Sequence, residues 1–514
     1  MNNSLWITEQ KDNNYEELKE NIDSDVCIIG GGLTGITTAY YLSKNNKKVI
    51  LLEKNKIGEG TSGYTTGKIT SQHDLFYKYL IDSLGEDLAR QYLNANEKAI
   101  ENIEKIVNEE KIECDFEKKD NYVFTMEEKE ISKIKDEVKA VNKLGKNAEY
   151  ISKESIHKEL IKGGKEEEVK SILCAIKLKN QAQFNSYKYI LGLSKIIEKS
   201  NSKIYENSKV IKIKKENDKY IVETEHGTVS SKYVVIASHY PIINFPGFYF
   251  MKMYQEMSYI IGIETNLKLF DGMYINSENP SISLRTAIDK DSKETVLLGG
   301  YGHKTGEKDN LVDPYKELEK IAKKLFPDYK VRYRWSTEDC ISLDKIPYIG
   351  EFSSMTPNVY VATGYKKWGI TTSNVAANII TDKILEKKNE YEDVFDSKRL
   401  KPIKNYKELT SMVKEVGNSL IVEKIKGANK YTEAIKTGEG KIVEIEGKKV
   451  GIYKDEKQKI YAIKPVCTHL GCELNWNNID KTWDCPCHGS RFDYKGKNIY
   501  EPAMQNLTTI DIKE

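Results

Sequence analysis

The chain has 514 residues, more than one hydrophobic core normally serves, which suggests about three structural units. Its 80 Lys and Arg residues nearly balance its 78 Asp and Glu residues, and no basic block with interleaved aromatic residues indicates nucleic-acid binding. No segment approaches the roughly 18 consecutive apolar residues of a membrane span, and the N-terminus lacks a secretory signal pattern. We therefore predict a cytoplasmic protein with no membrane span and no nucleic-acid partner.

A dinucleotide-binding pattern lies near the N-terminus. The apolar run DVCII is followed by GGGLTG, in which Gly30, Gly32 and Gly35 fill a G-x-G-x-x-G turn, and then by a helical pattern. The next apolar run ends at Glu53, placed where a carboxylate can bind ribose hydroxyls. The glycines let the backbone approach a pyrophosphate, which sits on the positive N-terminus of the helix. This pattern alone does not distinguish FAD from NAD.

The next segments are a loop and an insert. Residues 58–73 (GEGTSGYTTGKITSQH) are too rich in Gly and Thr for a helix and suit a loop that contacts a cofactor through backbone and hydroxyl donors. Residues 75–170 show apolar positions at helical spacing, with many Lys and Glu on the other face. They predict a solvated helical insert.

Strand patterns dominate the middle of the chain. Residues 210–237 pass through three short alternating runs and end in an apolar strand. Residues 246–327 contain further strand patterns, which we expect to build the sheet of a substrate subdomain. The GGYG cluster at residues 299–302 is not followed by an apolar helix, so it predicts a tight turn rather than a second nucleotide site.

Two later blocks identify the type of dinucleotide site. They are WSTEDCISLDKIPYIG at residues 335–350 and NVYVATGYKKWGITTSNVAANII at residues 358–380, the second of which reads as strand, glycine turn and helix. With residues 58–73, these blocks resemble the D-amino-acid-oxidase-like flavoproteins, which include glycine, sarcosine and glutamylputrescine oxidases. The resemblance covers about the first 390 residues and implies FAD.

In that family the late strand, turn and helix return to the isoalloxazine ring. The resemblance therefore places Lys366, Lys367 and Trp368 beside the flavin, and the positive helix end at residues 369–371 favours the anionic reduced form. The FAD-binding residues predicted from the motifs and the resemblance together are Gly30, Gly32, Leu33, Thr34, Gly35, Glu53, Lys54, Gly60, Thr61, Thr66, Val210, Ala237, Trp335, Gly364, Lys367, Trp368, Gly369, Ile370 and Thr371.

A cluster-binding pattern lies near the C-terminus. CTHLGC at residues 467–472 and CPCHGS at residues 485–490 supply one Cys-x-His and one Cys-x-x-His pair. In a Rieske [2Fe-2S] centre one iron takes two thiolates and the other takes two imidazoles. The predicted ligands are Cys467, His469, Cys485 and His488. A zinc ribbon or a pair of disulfides is the alternative, but neither requires these two matched loops.

The same loops resemble the Rieske proteins of cytochrome bc complexes. There a disulfide joins the two cluster loops, which implies a bridge between Cys472 and Cys487. In those relatives a serine and a tyrosine hydroxyl bond the cluster and cysteine sulfurs, and here Ser490 occupies the serine position and Phe492 the tyrosine position. Because such hydrogen bonds stabilise the reduced cluster, we expect a lower reduction potential than in a respiratory Rieske centre.

The motifs predict an α/β Rossmann-like FAD-binding fold with an α+β substrate subdomain, followed by a C-terminal all-β Rieske domain. This order resembles a bacterial family of FAD-dependent oxidoreductases that carry a C-terminal Rieske module. We expect the FAD-dependent domain over residues 1–392, a linker over 393–424 and the Rieske domain over 425–514. The FAD-binding parts are expected at about 20–75, 185–245 and 330–392, and the helical and substrate parts at about 76–184 and 246–329.

Four residues are candidates for the substrate chemistry. Arg285 could clamp a carboxylate by bidentate pairing. His73 and His303 lie in Gly-rich contexts and could transfer protons, and Tyr254, with Tyr259 on the same segment, could line the flavin face. A purely structural role is the alternative for each.

The predicted reaction is oxidation of a C–N bond in a small amine or amino acid. Hydride transfer to FAD would be followed by passage of single electrons through the cluster to an unknown external acceptor, a protein or a quinone. The alternative is an electron-transfer module without a substrate of its own, but the large insert between the FAD-binding parts argues against it. A Rieske oxygenase is disfavoured because the other histidines form no closely spaced pair for mononuclear iron.

Overall fold

The computed structural model describes residues 4–8, 14–160, 170–267, 270–289, 291–307, 312–399, 435–445 and 447–510. The predicted linker spans residues 393–424, and its part from residue 400 onward lies outside the described residues.

A mostly parallel sheet organises the nucleotide-binding unit. In spatial order its strands are Tyr348–Glu351, Val359–Thr363, Thr228–Ile236, Asn21–Ile29, Val49–Leu52 and Lys203–Tyr205, and a hairpin of Lys212–Glu216 and Lys219–Glu223 is attached to Thr228–Ile236. The pairs along the path from Val359–Thr363 to Lys203–Tyr205 are parallel. The strands predicted within residues 210–237 are therefore present.

The central strands of this sheet are apolar at successive positions because both faces of the sheet are covered. Val26 and Ile28 belong to one hydrophobic cluster, while Cys27 and Ile29 belong to another. Helices pack in the first cluster, namely Leu33–Lys44, Ser186–Glu198 and Gly369–Ile384. A parallel strand that is buried on both faces carries apolar residues at successive positions, which explains the run DVCII.

A second sheet of nine strands forms the substrate unit. In spatial order its strands are Lys330–Ser342, Met253–Glu264, Glu294–Lys304, Ile282–Ile288, Met273–Asn276, Glu117–Thr125, Cys174–Gln183 and Lys68–Ile69, with Ala148–Ser152 beside Cys174–Gln183. Helix Pro314–Leu325 packs on this sheet through Leu318 and Ala322. Since Lys68–Ile69 is one of the strands, the Gly- and Thr-rich loop connects the nucleotide site with the substrate unit.

The prediction that residues 75–170 form a helical insert is wrong in part. Its helices are Tyr77–Leu84, Glu86–Glu109, Ile131–Lys143 and Lys153–Leu160, but Glu117–Thr125 and Ala148–Ser152 are strands of the nine-stranded sheet. Both pair with Cys174–Gln183. These pairings join segments distant in sequence, so the local pattern does not reveal them.

The tight turn predicted at residues 299–302 is also wrong. These residues lie inside the strand Glu294–Lys304, and the partner strand Met253–Glu264 has a register shift between Met257 and Tyr259. Gly300 has φ +159°, and a Cβ at this position would clash with Ser281 O. The glycines therefore permit close approach of neighbouring strands rather than a change of chain direction.

The C-terminal unit is all-β. Gly440–Ile445, Lys448–Lys454 and Ile460–Ile463 form one sheet, and Asn475–Asn477, Thr482–Asp484, Arg491–Asp493 and Asn498–Tyr500 form another. Short helical segments elsewhere are Leu5–Thr8, Thr61–Gly63, Glu128–Glu130, Tyr249–Met251 and Glu392–Phe395. Over the described ranges, no helix has the length and apolar character needed to cross a membrane.

A buried carboxylate anchors the insert to the loop that follows the nucleotide motif. Glu137 is wholly buried and accepts hydrogen bonds from the backbone N–H groups of Phe76, Tyr77 and Lys78 at 2.8–2.9 Å. Its Oε1 also accepts from Gln72 Nε2 at 2.8 Å. These N–H groups belong to the first turn of helix Tyr77–Leu84, where a negative charge is favoured.

We predict that Glu137→Ala lowers the free energy of unfolding by roughly 2–4 kcal/mol, because it leaves buried N–H donors without acceptors. Denaturation of the holoprotein followed by circular dichroism measures the change. The matched control is Asp136→Ala on the same helix, whose half-exposed carboxylate pairs with Lys139 and should contribute less than about 1 kcal/mol. Equal losses in the two variants would contradict the anchoring role of Glu137.

Candidate active site and cluster site

In the predicted nucleotide-binding turn, the strand, the turn and the helix pack closely against one another. Gly30 has φ +109°, and a Cβ there would lie 2.5 Å from Ala237 O. A Cβ on Gly35 would lie 1.9 Å from Gly30 O, so the helix Leu33–Lys44 packs on the turn only with glycine at both positions.

A large cavity of about 1160 Å³ opens at this turn. The predicted FAD-binding residues that line it are Gly30, Gly32, Leu33, Thr34, Glu53, Lys54, Gly60, Thr61, Val210, Ala237, Gly364, Lys367, Gly369 and Ile370. These residues come from three distant parts of the chain and line one site. Its size and its helix N-terminus fit a dinucleotide.

Glu53 is positioned by backbone donors at the end of its strand. Its carboxylate accepts hydrogen bonds from the N–H groups of Gly31 at 2.8 Å and Asn55 at 2.9 Å. Burial raises the pKa of Glu53, and these N–H groups act in the opposite direction. The fixed carboxylate lies on the cavity wall, as a ribose-binding group requires.

A smaller cavity of about 160 Å³ adjoins the large one, and Thr61, Asp339, Lys367 and Ile370 line both. Three predicted cofactor residues, Thr66, Trp368 and Thr371, line this smaller cavity instead.

Trp335 lines neither cavity. It is wholly buried in the hydrophobic core and donates from Nε1 to Tyr64 O at 2.8 Å. Trp335 therefore has a structural role instead of the predicted contact with FAD. Its position on strand Lys330–Ser342 places the side chain in the hydrophobic core.

The turn between strand Val359–Thr363 and helix Gly369–Ile384 brings charged and aromatic groups to the two cavities. Lys367 pairs with Glu256 at 2.9 Å, and the Trp368 ring stacks on His73 with ring centroids 4.9 Å apart. Lys366 instead lies over the Phe76 ring at 4.1 Å, and burial lowers its pKa to about 8. Helix Gly369–Ile384 begins directly afterwards, so its positive end faces the large cavity.

His73 lines the smaller cavity, but its ring is already engaged. Nδ1 is 2.7 Å from Tyr92 Oη, and Nε2 is 2.9 Å from Thr70 O. Burial lowers the pKa of His73 to about 3, so the imidazole is neutral. This arrangement suits a structural support for Trp368 better than the predicted proton transfer.

The predicted carboxylate clamp, Arg285, does not reach either cavity. It is 2% exposed, donates to Gly67 O at 2.8 Å and lies over the Trp6 ring at 5.2 Å. The prediction of a substrate clamp at Arg285 is therefore wrong. Its guanidinium joins the Gly- and Thr-rich loop to the substrate sheet.

The other two predicted catalytic residues, His303 and Tyr254, also lie outside both cavities. His303 Nε2 is 2.8 Å from Tyr259 Oη, and Lys304 lies 5.9 Å from the Tyr254 ring. Of this group only Tyr259 lines the smaller cavity. Tyr254 and Tyr259 are an odd number of positions apart on strand Met253–Glu264, so the alternation of side chains places them on opposite faces.

Sequence reasoning missed Lys68. This side chain is 8% exposed, lines the smaller cavity and has a pKa lowered by burial to about 7. The available signal was a lysine between Gly67 and Ile69 in a Gly- and Thr-rich loop, which alone does not distinguish a buried cation from a solvated one.

The four predicted cluster ligands meet in the C-terminal unit. The Cys467 and Cys485 side chains are buried and hydrogen-bonded to each other, and the imidazole centroids of His469 and His488 are 5.0 Å apart. The Nδ1 atoms of both histidines are buried, and within the part of the chain that the structure describes they have no hydrogen-bond partner. Burial lowers the pKa of each imidazole to about 4, so both lone pairs are available to a metal.

The structure contains the disulfide between Cys472 and Cys487. The sulfurs of these two residues also lie within 4.8 Å of Cys485 Sγ. Because the bridged sulfurs are not thiolates, they are not ligands, and the two thiols and two orphaned imidazole nitrogens form the donor set of a Rieske cluster.

The two predicted neighbours of the cluster, Ser490 and Phe492, lie in the same unit as the four predicted ligands. Ser490 is hydrogen-bonded to the Cys467 side chain and accepts from the N–H of Ala503 at 3.0 Å. Phe492 is wholly buried in the same hydrophobic cluster as the cysteines.

The FAD-binding part of the chain covers the imidazole side of the cluster site. His469 Nε2 is 3.0 Å from Asn244 Oδ1, and the Phe250 ring meets His469 and His488 edge-on, with centroids 5.9 and 5.6 Å away. Gln255 Nε2 donates to His488 O at 2.9 Å. The cluster loops are therefore fixed against the FAD-binding part by polar and aromatic contacts.

Comparison with known proteins agrees with this geometry. The family model for FAD dependent oxidoreductases, DAO, matches residues 25–383, and the model for the Rieske [2Fe-2S] domain matches residues 428–511. The chain is 36% identical to YhfW of Bacillus subtilis, which is named as a Rieske 2Fe-2S iron-sulfur protein, over 99% of this chain and 97% of that one.

Two further comparisons concern the FAD-binding part. The gamma-glutamylputrescine oxidoreductase of Escherichia coli is 24% identical over 72% of this chain and 85% of its own. The crystal structure of glycine oxidase from Geobacillus kaustophilus superposes with a TM-score of 0.63 at 19% identity, over 74% of this chain and all of that one. The predicted fold class and cofactors are confirmed: this chain belongs to the DAO family of FAD-dependent oxidoreductases and carries a C-terminal Rieske [2Fe-2S] domain.

Proposed function

We propose that the protein oxidises a C–N bond of an amine or amino acid and delivers the electrons through its Rieske domain to an external acceptor. FAD, when bound, accepts a hydride, and a Rieske cluster carries one electron at a time. A cytoplasmic location and the absence of a nucleic-acid partner remain predictions.

The observation that carries the proposal is the small cavity beside the FAD cavity. A pure electron shuttle needs no second enclosed space, whereas an oxidoreductase needs one next to its cofactor. The names of two similar proteins, a glycine oxidase and a gamma-glutamylputrescine oxidoreductase, support an amine or amino acid as the occupant.

The walls of this cavity can orient a substrate and limit its contact with water. Ile260, Trp368 and Ile370 supply apolar lining, and Asp339 supplies a carboxylate whose pKa burial raises to about 6. A carboxylate on the wall shared by both cavities can bind the substrate nitrogen close to the cofactor.

Contacts between the two parts of the chain support delivery of electrons to the cluster. Asn244, Phe250 and Gln255 all belong to the FAD-binding part and contact the histidine loops. Rigid placement of donor and acceptor sites removes the need for a diffusional encounter between separate proteins.

We predict that anaerobic mixing of the holoprotein with a panel of amines and amino acids bleaches the flavin absorbance with at least one member, followed by the EPR signal of the reduced cluster. Stopped-flow absorbance and freeze-quench EPR measure the two signals. A panel that bleaches no flavin, although dithionite does, would contradict the proposed reaction.

Cys467→Ser separates the two halves of the reaction, because hydride transfer requires only the FAD-binding part. This variant should keep the first flavin bleaching within about twofold and lose the cluster signal and multiple turnover with an external acceptor. The matched control, Cys114→Ser, replaces a buried thiol outside both sites and should retain both signals.

We also predict that Asn244→Ala raises the midpoint potential of the cluster. A hydrogen bond from His469 Nε2 to Asn244 makes the imidazole a stronger donor, which favours the oxidised cluster, and the variant removes this bond. Protein-film voltammetry compares it with Asn94→Ala, an exposed position on helix Glu86–Glu109. A potential that is unchanged or lower than in the control would show that Asn244 does not act on the cluster.

A further inference from the structure

We propose that Gln255 provides the connection along which electrons pass from the large cavity to the cluster site. This inference rests on the proposed function and specifies the path by which the chain delivers its electrons. In each passage the reduced flavin loses one electron and one ferric ion of the cluster becomes ferrous. The external one-electron acceptor then reoxidises the cluster, which permits a second passage. The protons of the reduced flavin go to water, and no bond in the protein forms or breaks.

The first half of the connection lies at the wall of the large cavity. Gln255 and Cys340 are opposite each other in the pairing of strands Met253–Glu264 and Lys330–Ser342, so their side chains lie on the same face of the sheet. Cys340 lines the cavity, and its Sγ is 3.8 Å from Gln255 Oε1. Burial raises the pKa of Cys340, so the thiol keeps its proton and can donate it to the amide oxygen.

The second half joins the same amide to the loop of a cluster ligand. Gln255 Nε2 donates to His488 O at 2.9 Å and to Glu501 O at 2.8 Å. Gln255 is 2% exposed, so these bonds are shielded from water. The amide therefore uses its oxygen toward the cavity and its nitrogen toward the Rieske domain.

Two glycines show how closely the two parts of the chain approach at this point. Gly489, which follows His488, has φ +82°, and a Cβ there would lie 2.6 Å from Gln255 Cβ. On the FAD-binding part, a Cβ on Gly306 would lie 2.5 Å from Pro486 N in the same cluster loop. The loop therefore rests directly on the substrate sheet, with no room for a side chain between them.

This contact is suited to electron transfer because tunnelling weakens less along covalent and hydrogen bonds than across an empty gap. From Cys340 through Gln255 to His488, the path contains two hydrogen-bonded steps, of 3.8 and 2.9 Å. Asn244 and Phe250 also contact the cluster ligands, but they line neither cavity. Gln255 instead bonds to a residue of the cavity wall and to a ligand residue.

The test measures electron transfer within the molecule and needs no substrate. A light flash reduces the flavin of the anaerobic holoprotein, and the optical signal of the reduced cluster is followed over time. Gln255→Met and Cys340→Ala each remove a hydrogen-bonded step, and each should slow the growth of this signal at least about fivefold. The matched control is Gln91→Met, a half-buried glutamine on helix Glu86–Glu109 that lines neither cavity, and it should retain the rate.

A double variant distinguishes a path from a general loss of structure. Because both side chains belong to one connection, Gln255→Met combined with Cys340→Ala should be no slower than the slower single variant. The EPR spectrum and the midpoint potential of the cluster should match those of the Gln91→Met control, since the path ends on the backbone of His488 and not on its imidazole. If Gln255→Met does not retain its cluster, the rate in Cys340→Ala decides.

Three results would overturn the proposal. They are an unchanged rate in either single variant, slowing in the double variant that equals the product of the two single effects, and slowing that is accompanied by a changed cluster potential. The last would make Gln255 a structural support of the cluster loop. The proposed function fails separately: if the path holds but no amine or amino acid bleaches the flavin, C–N oxidation is wrong. If photoreduced flavin does not reduce the cluster even in the unmodified protein, delivery of electrons through the Rieske domain is wrong as well.

Discussion

The ion pair between the partly buried Lys54 and the buried Glu501 links the nucleotide-binding strand to the Rieske domain. Lys54 follows the carboxylate Glu53 at the end of its strand, and its Nζ lies 2.5 Å from the side chain of Glu501 in the Rieske domain. Glu501 is 6% exposed, and its backbone carbonyl accepts from Gln255 at 2.8 Å. Removing Lys54 would leave the buried Glu501 carboxylate without this counterion, so the pair favours one arrangement of the two parts.

This arrangement makes the FAD cavity a product of both parts of the chain. Asp480, Arg491 and Tyr500 of the Rieske domain line it together with the glycine turn. Arg491 is itself fixed by Asp480 and Asp484, at 2.8 and 3.1 Å. The cluster loops also contact Asn244 and the Phe250 ring of the FAD-binding part. The Rieske domain therefore contacts the FAD-binding part both at the large cavity and at its histidine loops.

The sequence revealed the parts whose chemistry depends on local spacing. The glycine turn with Glu53, the Cys-x-His and Cys-x-x-His loops and the late strand, turn and helix all specify backbone or ligand geometry within a few residues. The sequence did not predict which side chains line the cavities where this depends on the register between distant strands. Arg285 and Lys68 illustrate this, because the arginine of an alternating strand is held by backbone carbonyls while the lysine of a loop lines the cavity. Only the pairing of distant strands determines which of these two cations lines the smaller cavity.

The central claim is that electrons pass from the flavin to the cluster inside one molecule. The most direct test is flash photoreduction of the flavin in the anaerobic holoprotein, followed by the growth of the reduced-Rieske EPR or optical signal at several protein concentrations. The account predicts a rate constant that is independent of concentration, because the two sites are fixed to each other by buried contacts. A rate that rises in proportion to protein concentration would contradict it, since the cluster would then receive its electrons from another molecule.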